Sequence, residues 1–273
     1  MMRIINNQKN DKAIDISLIA SSIRFWLWEP FINSLIDNDV PFEVIFVGDF
    51  EEKAVEVHNA ISARMKDTQI FNIIRTGHIK PAQCYEIARR AAVGRLIHWT
   101  ADDCEYSPKA LDNICKFYDM FISRGCVSQD LILSIQTIES RYFFKMDDHR
   151  FFYKDQSSPL MAPLGVLRRE YLDSLGGFDR RFVSGQWEND VVMRSYAAGG
   201  TVAVYSGAVI TIDHHEKHLG NLGSKFRSAY IEDRNVLESL WPGGKIKKDV
   251  DFEPYSDNES ILTKSQGNRG IWV

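Results

Sequence analysis

Asp102 and Asp103 stand side by side directly after the apolar run 96–100 (LIHWT), with Glu105 two residues on. Adjacent carboxylates at the end of a buried strand repel one another unless a positive group compensates them. A hard divalent cation such as Mg²⁺ or Mn²⁺ does this well, because it prefers carboxylate oxygen, and it would in turn bind a diphosphate. The same residues also suit a solvated acidic turn leading into a helix. Asp49 closes a second apolar run, 42–47 (FEVIFV), where a carboxylate can accept hydrogen bonds from a base N–H or a ribose hydroxyl, or simply make a turn. Glu188 and Asp190 lie at the start of a predicted helix, where acids commonly complement the helix dipole. One of them could instead act as a general base toward an acceptor hydroxyl. Trp187, next to them, either offers its ring to a ligand or packs in the core. His214, His215 and His218 follow the strand candidate 209–212 and offer imidazole ligands, or an exposed polar loop.

The elements needed to position these groups are legible as alternation. Residues 14–21, 42–47, 70–74 and 96–100 read as strands. Residues 26–36, 51–65, 81–93 and a stretch from Ser107 to about Tyr118 read as helices. Gly94 is expected to cap the third helix, and Ser107 with Pro108 to open the fourth. Strand–helix repetition of this kind implies a parallel sheet covered on both faces. Such sheets bind ligands outside the carboxyl ends of their strands, which is where Asp49, Asp102 and Asp103 fall.

The second half is less regular. Residues 131–138 read as a strand, 141–158 as an irregular aromatic and charged segment, and 164–175 as a strand passing into a short helix. A turn follows at Gly176 and Gly177, then a helix over 189–198 ended by Gly199 and Gly200, and strands over 202–205 and 209–212. Composition shifts near residue 218. One amphipathic helix is predicted over 226–241, followed by a polar tail.

The organisation expected is a flexible N-terminus (1–12), a main domain (13–218) and a C-terminal extension (219–273) that packs on it or covers its ligand site. A formal net charge of -4 lacks the basic field of a nucleic-acid binder. Cys84, Cys104, Cys115 and Cys126 form no CxxC pair and read as reduced thiols of a cytoplasmic protein. No segment approaches the roughly 20 apolar residues that span a bilayer, so a membrane role would be peripheral. Neither GxGxxG nor GxxxxGK[ST] occurs, which disfavours dinucleotide oxidoreductases and P-loop enzymes. A pyrophosphorylase would need a Gly-rich basic loop where Ser21-Ser22-Ile23-Arg24 stands.

Taken in order, four stretches resemble the inverting family 2 glycosyltransferases of the GT-A fold. They are 16–22 with 42–49 (FEVIFVGD), 88–103 (ARRAAVGRLIHWTADD), 165–200 with its GGFD turn and WEND helix, and the histidines after the late strand. The resemblance covers about residues 14–218. It implies an α/β fold with a mixed, mainly parallel sheet flanked by helices. It also implies transfer of a hexose from a nucleotide sugar, UDP by family habit, to the hydroxyl of a glycan or other acceptor, with help from Mn²⁺ or Mg²⁺. In its terms Asp49 contacts the base, and Ala20, Ser21 and Ser22 lie along the nucleotide. Asp102 contacts ribose or shares the metal with Asp103, Glu188 is the base with Asp190 its rival, and His214 or His215 is the late metal ligand. The acidic motif departs from strict DxD, reading Thr100-Ala101-Asp102-Asp103. A retaining transferase, or a binding module without turnover, would share much of this pattern.

Overall fold

The computed structural model describes residues 4–5, 13–125, 130–139, 144–146, 158–212 and 223–267. Its centre is built from runs too apolar to face water on either side. Phe42–Gly48 (β3) and Leu96–Trp99 (β5) are buried at every position. Ile16–Ser21 (β2) and Gln69–Arg75 (β4) are buried up to their last residue. These strands pair in parallel in the order β4-β3-β2-β5, so their carboxyl ends share one rim. Parallel neighbours require crossovers, and helices supply them. A 3-10 turn at Phe25–Leu27 leads into α1 (Trp28–Asn33), and α2 (Glu52–Ser62) and α3 (Pro81–Ala91) follow. Trp28 is wholly buried and meets Phe50 and Phe71 edge-on, with ring centroids 5.2 and 5.4 Å apart. Contacts of this kind lock α1 to the sheet.

Beyond β5 the sheet becomes mixed. β9 (Gly165–Arg168) runs antiparallel to both β5 and β7 (Leu131–Glu139), and β7 pairs in parallel with β10 (Thr201–Ile212). β6 (Cys104–Tyr106) closes one edge against β10, and β8 (Phe144–Met146) pairs with β7. The flanking helices are α4 (Ala110–Ser123), α5 (Arg169–Ser174), α6 (Trp187–Ala197) and α7 (Gly223–Leu240).

Several expectations are corrected. Gly94 does not cap α3, which ends at an extended Ala92. It is glycine because β2 passes close by: an added Cβ would lie 2.5 Å from Ser17 Oγ and 2.7 Å from Ser17 N. Ser107 does not cap α4 with its side chain. Its hydroxyl accepts the Val209 N–H at 3.0 Å, and the helix opens at Ala110 after Lys109 in the left-handed region. Residues 202–205 and 209–212 form one strand with a bulge between Tyr205 and Val209. Within the stretch expected to be flexible, β1 (Ile4–Ile5) pairs antiparallel with β4. Gly176 and Gly177 do take positive φ, as their turn requires.

The C-terminal extension contains α7 and then a strap, residues 251–267, that returns to α3. The Gln83 amide donates to the carbonyls of Ile261 (2.5 Å) and Lys264 (2.9 Å) and accepts the Gln266 N–H (2.8 Å). Arg90 donates to the carbonyls of Tyr255 and Ser256. Cys84, Cys104 and Cys115 are buried free thiols; Cys126 lies outside the described residues. Among the described residues no helix is long and apolar enough to cross a membrane.

Candidate active site

After β5 the chain turns through residues 100–103 into β6, and that turn is held by a buried relay. Tyr85 of α3 donates its hydroxyl to the Thr100 carbonyl at 2.6 Å. His98 is fully buried, and burial lowers its imidazole to about 4, so the ring is neutral. Its Nδ1 lies 3.0 Å from the Gly165 carbonyl and so carries the proton. Nε2 then accepts from the Tyr106 hydroxyl at 2.9 Å, and that oxygen accepts from Thr100 Oγ1 at 2.6 Å.

The turn delivers Asp102 and Asp103 to the carboxyl rim, where Arg24 meets both. The Arg24 guanidinium engages both oxygens of Asp102 and reaches Asp103 Oδ2 at 3.2 Å. Ser22 donates to Asp102 Oδ2 at 2.6 Å, and its own oxygen accepts the Trp28 indole N–H at 2.7 Å. Side-chain exposure is 1% for Asp102, 9% for Asp103 and 21% for Arg24. Burial works against the Arg24 charge, but Asp102 and Asp103 outweigh it and raise its pKa above the ordinary arginine value. One guanidinium against two carboxylates leaves one formal negative charge. A cleft of about 230 Å³ borders the pair, lined by Leu27, Pro30 and Phe31 on the α1 side and by residues 102–105 on the other.

α6 supplies the third carboxylate. Gln186 sits at φ 62 and reverses the chain into the helix, so Glu188 occupies its first turn. The helix terminus favours an anion there. Burial prevails, with Asp233 adding to it, and pushes the half-buried Glu188 carboxyl up from 4.5 to about 7. The loop before α6 is held by that same Asp233 of α7, which accepts the N–H groups of Val183 (2.9 Å), Ser184 (2.7 Å) and Gly185 (2.9 Å). Asp190 is occupied differently. It accepts from Arg194 Nε at 2.8 Å and from the Trp241 indole at 2.9 Å, while Arg194 also holds the carbonyls of Leu175 and Gly177 in the GGFD turn. Trp187 is 4% exposed among Tyr85, Phe178 and Trp99, so it packs in the core. Tyr85 links the two groups of acids. Burial raises its phenol pKa, and the charges of Asp102, Glu188 and Asp103 raise it further.

Of the remaining candidates, Ala20 is fully buried in β2 and Ser21 is half-buried at its end. Asp49 is exposed just past β3. His214, His215 and His218 lie outside the described residues. Among the described residues no group of three His, Cys, Asp or Glu side chains is gathered tightly enough to hold a metal. A hard divalent cation is nevertheless often held by one or two protein carboxylates together with substrate phosphates. Asp103 fits that role, since among the described residues its ion-pair partner is Arg24 alone and it borders the cleft. Asp102 does not, because its oxygens are taken up by Arg24 and Ser22 in a buried setting. Sequence reasoning missed Arg24, Tyr85 and Asp233. Only Arg24 left a signal, as a cation three residues past β2 on the rim that carries the acidic pair.

This arrangement of strands and crossovers is the fold of the GT-A glycosyltransferases. Among solved structures the chain is similar to S. aureus TarS 1-349 in complex with UDP, at 15% identity and a TM-score of 0.61, covering 86% of this chain and 68% of that one. It is similar to the mannosyltransferase PcManGT from Pyrobaculum calidifontis in complex with GDP-Man and Mn²⁺, at 16% identity and a TM-score of 0.59, covering 85% and 68%. It also resembles GalNAc-T7 with UDP, GalNAc and Mn²⁺, at 13% identity and a TM-score of 0.53, covering 82% and 52%. The chain spans 41% of the longer S. aureus TarS structure. No family model and no curated protein sequence matches it.

Proposed function

We propose that the protein is a glycosyltransferase that moves a hexosyl unit from a nucleotide sugar, a UDP-sugar by our reading, to an acceptor hydroxyl with inversion at the anomeric carbon. The observation that carries the reading is the placement of two acidic groups on either side of Tyr85, which bonds the Thr100 carbonyl just before the rim pair Asp102 and Asp103 and packs on Trp187 just before Glu188. Glu188 takes the proton from the acceptor hydroxyl. The oxygen attacks the anomeric carbon from the face opposite the diphosphate, whose bond to that carbon breaks as the new bond forms. General-base help of this kind is worth ~10²–10⁴ in rate. Asp103 holds a divalent cation, Mn²⁺ or Mg²⁺, which when bound offsets the charge of the departing diphosphate.

Asp102 keeps Arg24 and the turn in place, so the cation falls to Asp103. Ser22, Ser21 and the Ala20 backbone line the nucleotide, and Asp49 meets its base. Asp190 serves as the ion-pair anchor of α6. The buried free thiols suit a cytoplasmic location.

The test is a screen of nucleotide sugars, with and without Mn²⁺, for donor hydrolysis and for thermal stabilisation, which a bound ligand produces by mass action. We expect one donor to be hydrolysed with Mn²⁺ and to raise the melting temperature. Asp103→Asn should remove the Mn²⁺-dependent part of that rise. Product anomers read by NMR distinguish inversion from retention. A panel that neither stabilises the protein nor is turned over would sink the proposal.

A further inference from the structure

The aromatic ring that follows naturally from the sequence as a sugar contact, Trp187, is shut in the core. Among the described residues two other aromatics are open to solvent, Trp26 at 54% and Tyr230 at 47% exposure. Trp26 belongs to the 3-10 turn before α1, whereas Tyr230 is on α7, against the loop that leads into the helix carrying the proposed base. Its ring lies against the backbone of Gly185, where an added Cβ would come within 3.2 Å of Tyr230 Cδ2. Burial raises its phenol pKa, and the Glu188 charge raises it further.

The placement is fixed at both ends. Asp233, one turn further along α7, binds the three N–H groups of Val183, Ser184 and Gly185. Trp241, just past the end of α7, binds Asp190 inside α6. α7 therefore cannot slide without breaking buried bonds on either side of Glu188. A half-exposed phenol is thus held against the loop that leads into α6, three residues before a carboxyl that has to face a hydroxyl of the acceptor. A pyranose has one face of C–H groups and a rim of hydroxyls, so it can lay that face on such a ring while a rim hydroxyl meets the carboxyl.

We propose that Tyr230 is the acceptor platform: its ring stacks on a pyranose unit of the acceptor and presents one hydroxyl of that sugar to Glu188. The acceptor is accordingly a glycan or glycoside, not a simple alcohol or an amino-acid hydroxyl. The inference rests on Glu188 being the base.

The experiment compares the full chain with Tyr230→Ala, Tyr230→Phe and Tyr230→Trp. Each protein is given the donor that the wild type hydrolyses, together with a panel of p-nitrophenyl pyranosides as acceptors. Tyr230→Ala should raise the acceptor KM about 10-fold while the donor KM stays within about twofold of the wild type. Phe and Trp should restore the wild-type KM. An acceptor KM within about twofold of wild type in Tyr230→Ala, or a loss that neither Phe nor Trp repairs, overturns the platform. If the wild type turns over no donor, the glycosyltransferase reading fails separately, and saturation-transfer NMR with the same pyranosides then decides. Signals present in the wild type and lost in Tyr230→Ala support the platform; no signal in the wild type overturns it.

Discussion

Replacing Glu188 by glutamine should make the protein both less active and more stable, and the second effect should depend on pH. Glutamine keeps the shape of the side chain and mimics the protonated acid. Burial raises the carboxyl from 4.5 to about 7, so folding favours the protonated form. That displacement corresponds to about 3 kcal/mol, and solvent at the exposed edge of Glu188 trims it to about 2–3 kcal/mol. Below about pH 4.5 the glutamate is protonated in folded and unfolded chains alike, and the variant gains nothing. As pH rises the unfolded chain releases its proton first, while the folded chain retains it until about pH 7. Wild-type stability therefore falls across that window relative to the glutamine variant, and the gap levels off above it. At ~2 °C per kcal/mol for a chain of this size, thermal unfolding near pH 8 should place the variant roughly 5 °C above the wild type. Transfer should drop ~10²–10⁴-fold in the same variant, and the wild-type rate should rise with pH through an apparent pKa near neutrality. A variant no more stable than wild type near pH 8, or one with near-normal turnover, would refute the argument that Glu188 is a desolvated base.

Arg24→Met should cost about 3–5 kcal/mol, because it leaves the buried Asp102 carboxylate without its cation. Thermal melts should show much of that loss recovered in the double variant with Asp102→Asn, and a neutral single substitution would contradict the ion-pair account. Trp241→Phe removes the indole N–H donated to Asp190 while keeping most of the ring packing. It should lower stability by about 2–3 kcal/mol in denaturant titration and leave nucleotide binding unchanged; weakened nucleotide binding would mean that Asp190 does more than anchor α6.

The parallel half of the sheet was legible because its strands are buried on both faces and so read as unbroken apolar runs. The same reasoning placed Asp49, Asp102 and Asp103 on one rim, since position after a strand determines which edge a residue occupies. The roles of Glu188 and Asp190 were not separable that way. Both occupy the first turn of α6, and what distinguishes their surroundings is Arg194 one turn on and Trp241, some fifty residues later in the chain, both bound to Asp190. Arg24 was passed over because its importance comes from partners in the turn after another strand. Gly94 and Ser107 look like helix punctuation, yet each is determined by a neighbouring strand: Ser17 presses on Gly94, and Val209 takes the Ser107 hydroxyl. Such contacts join residues distant in sequence and leave no periodic trace.

The strap over α3 bears on how the protein is made. Gln83 and Arg90 emerge from the ribosome well before residues 251–267, which complete their hydrogen bonds. Until then the amide of Gln83 and the guanidinium of Arg90 wait beside a half-built sheet, and loop closure across that span is slow compared with helix formation. We expect the nascent N-terminal half to depend on chaperones during this interval, and proteolysis of stalled chains ending before residue 251 to cut near α3 when the same site is protected in the finished molecule.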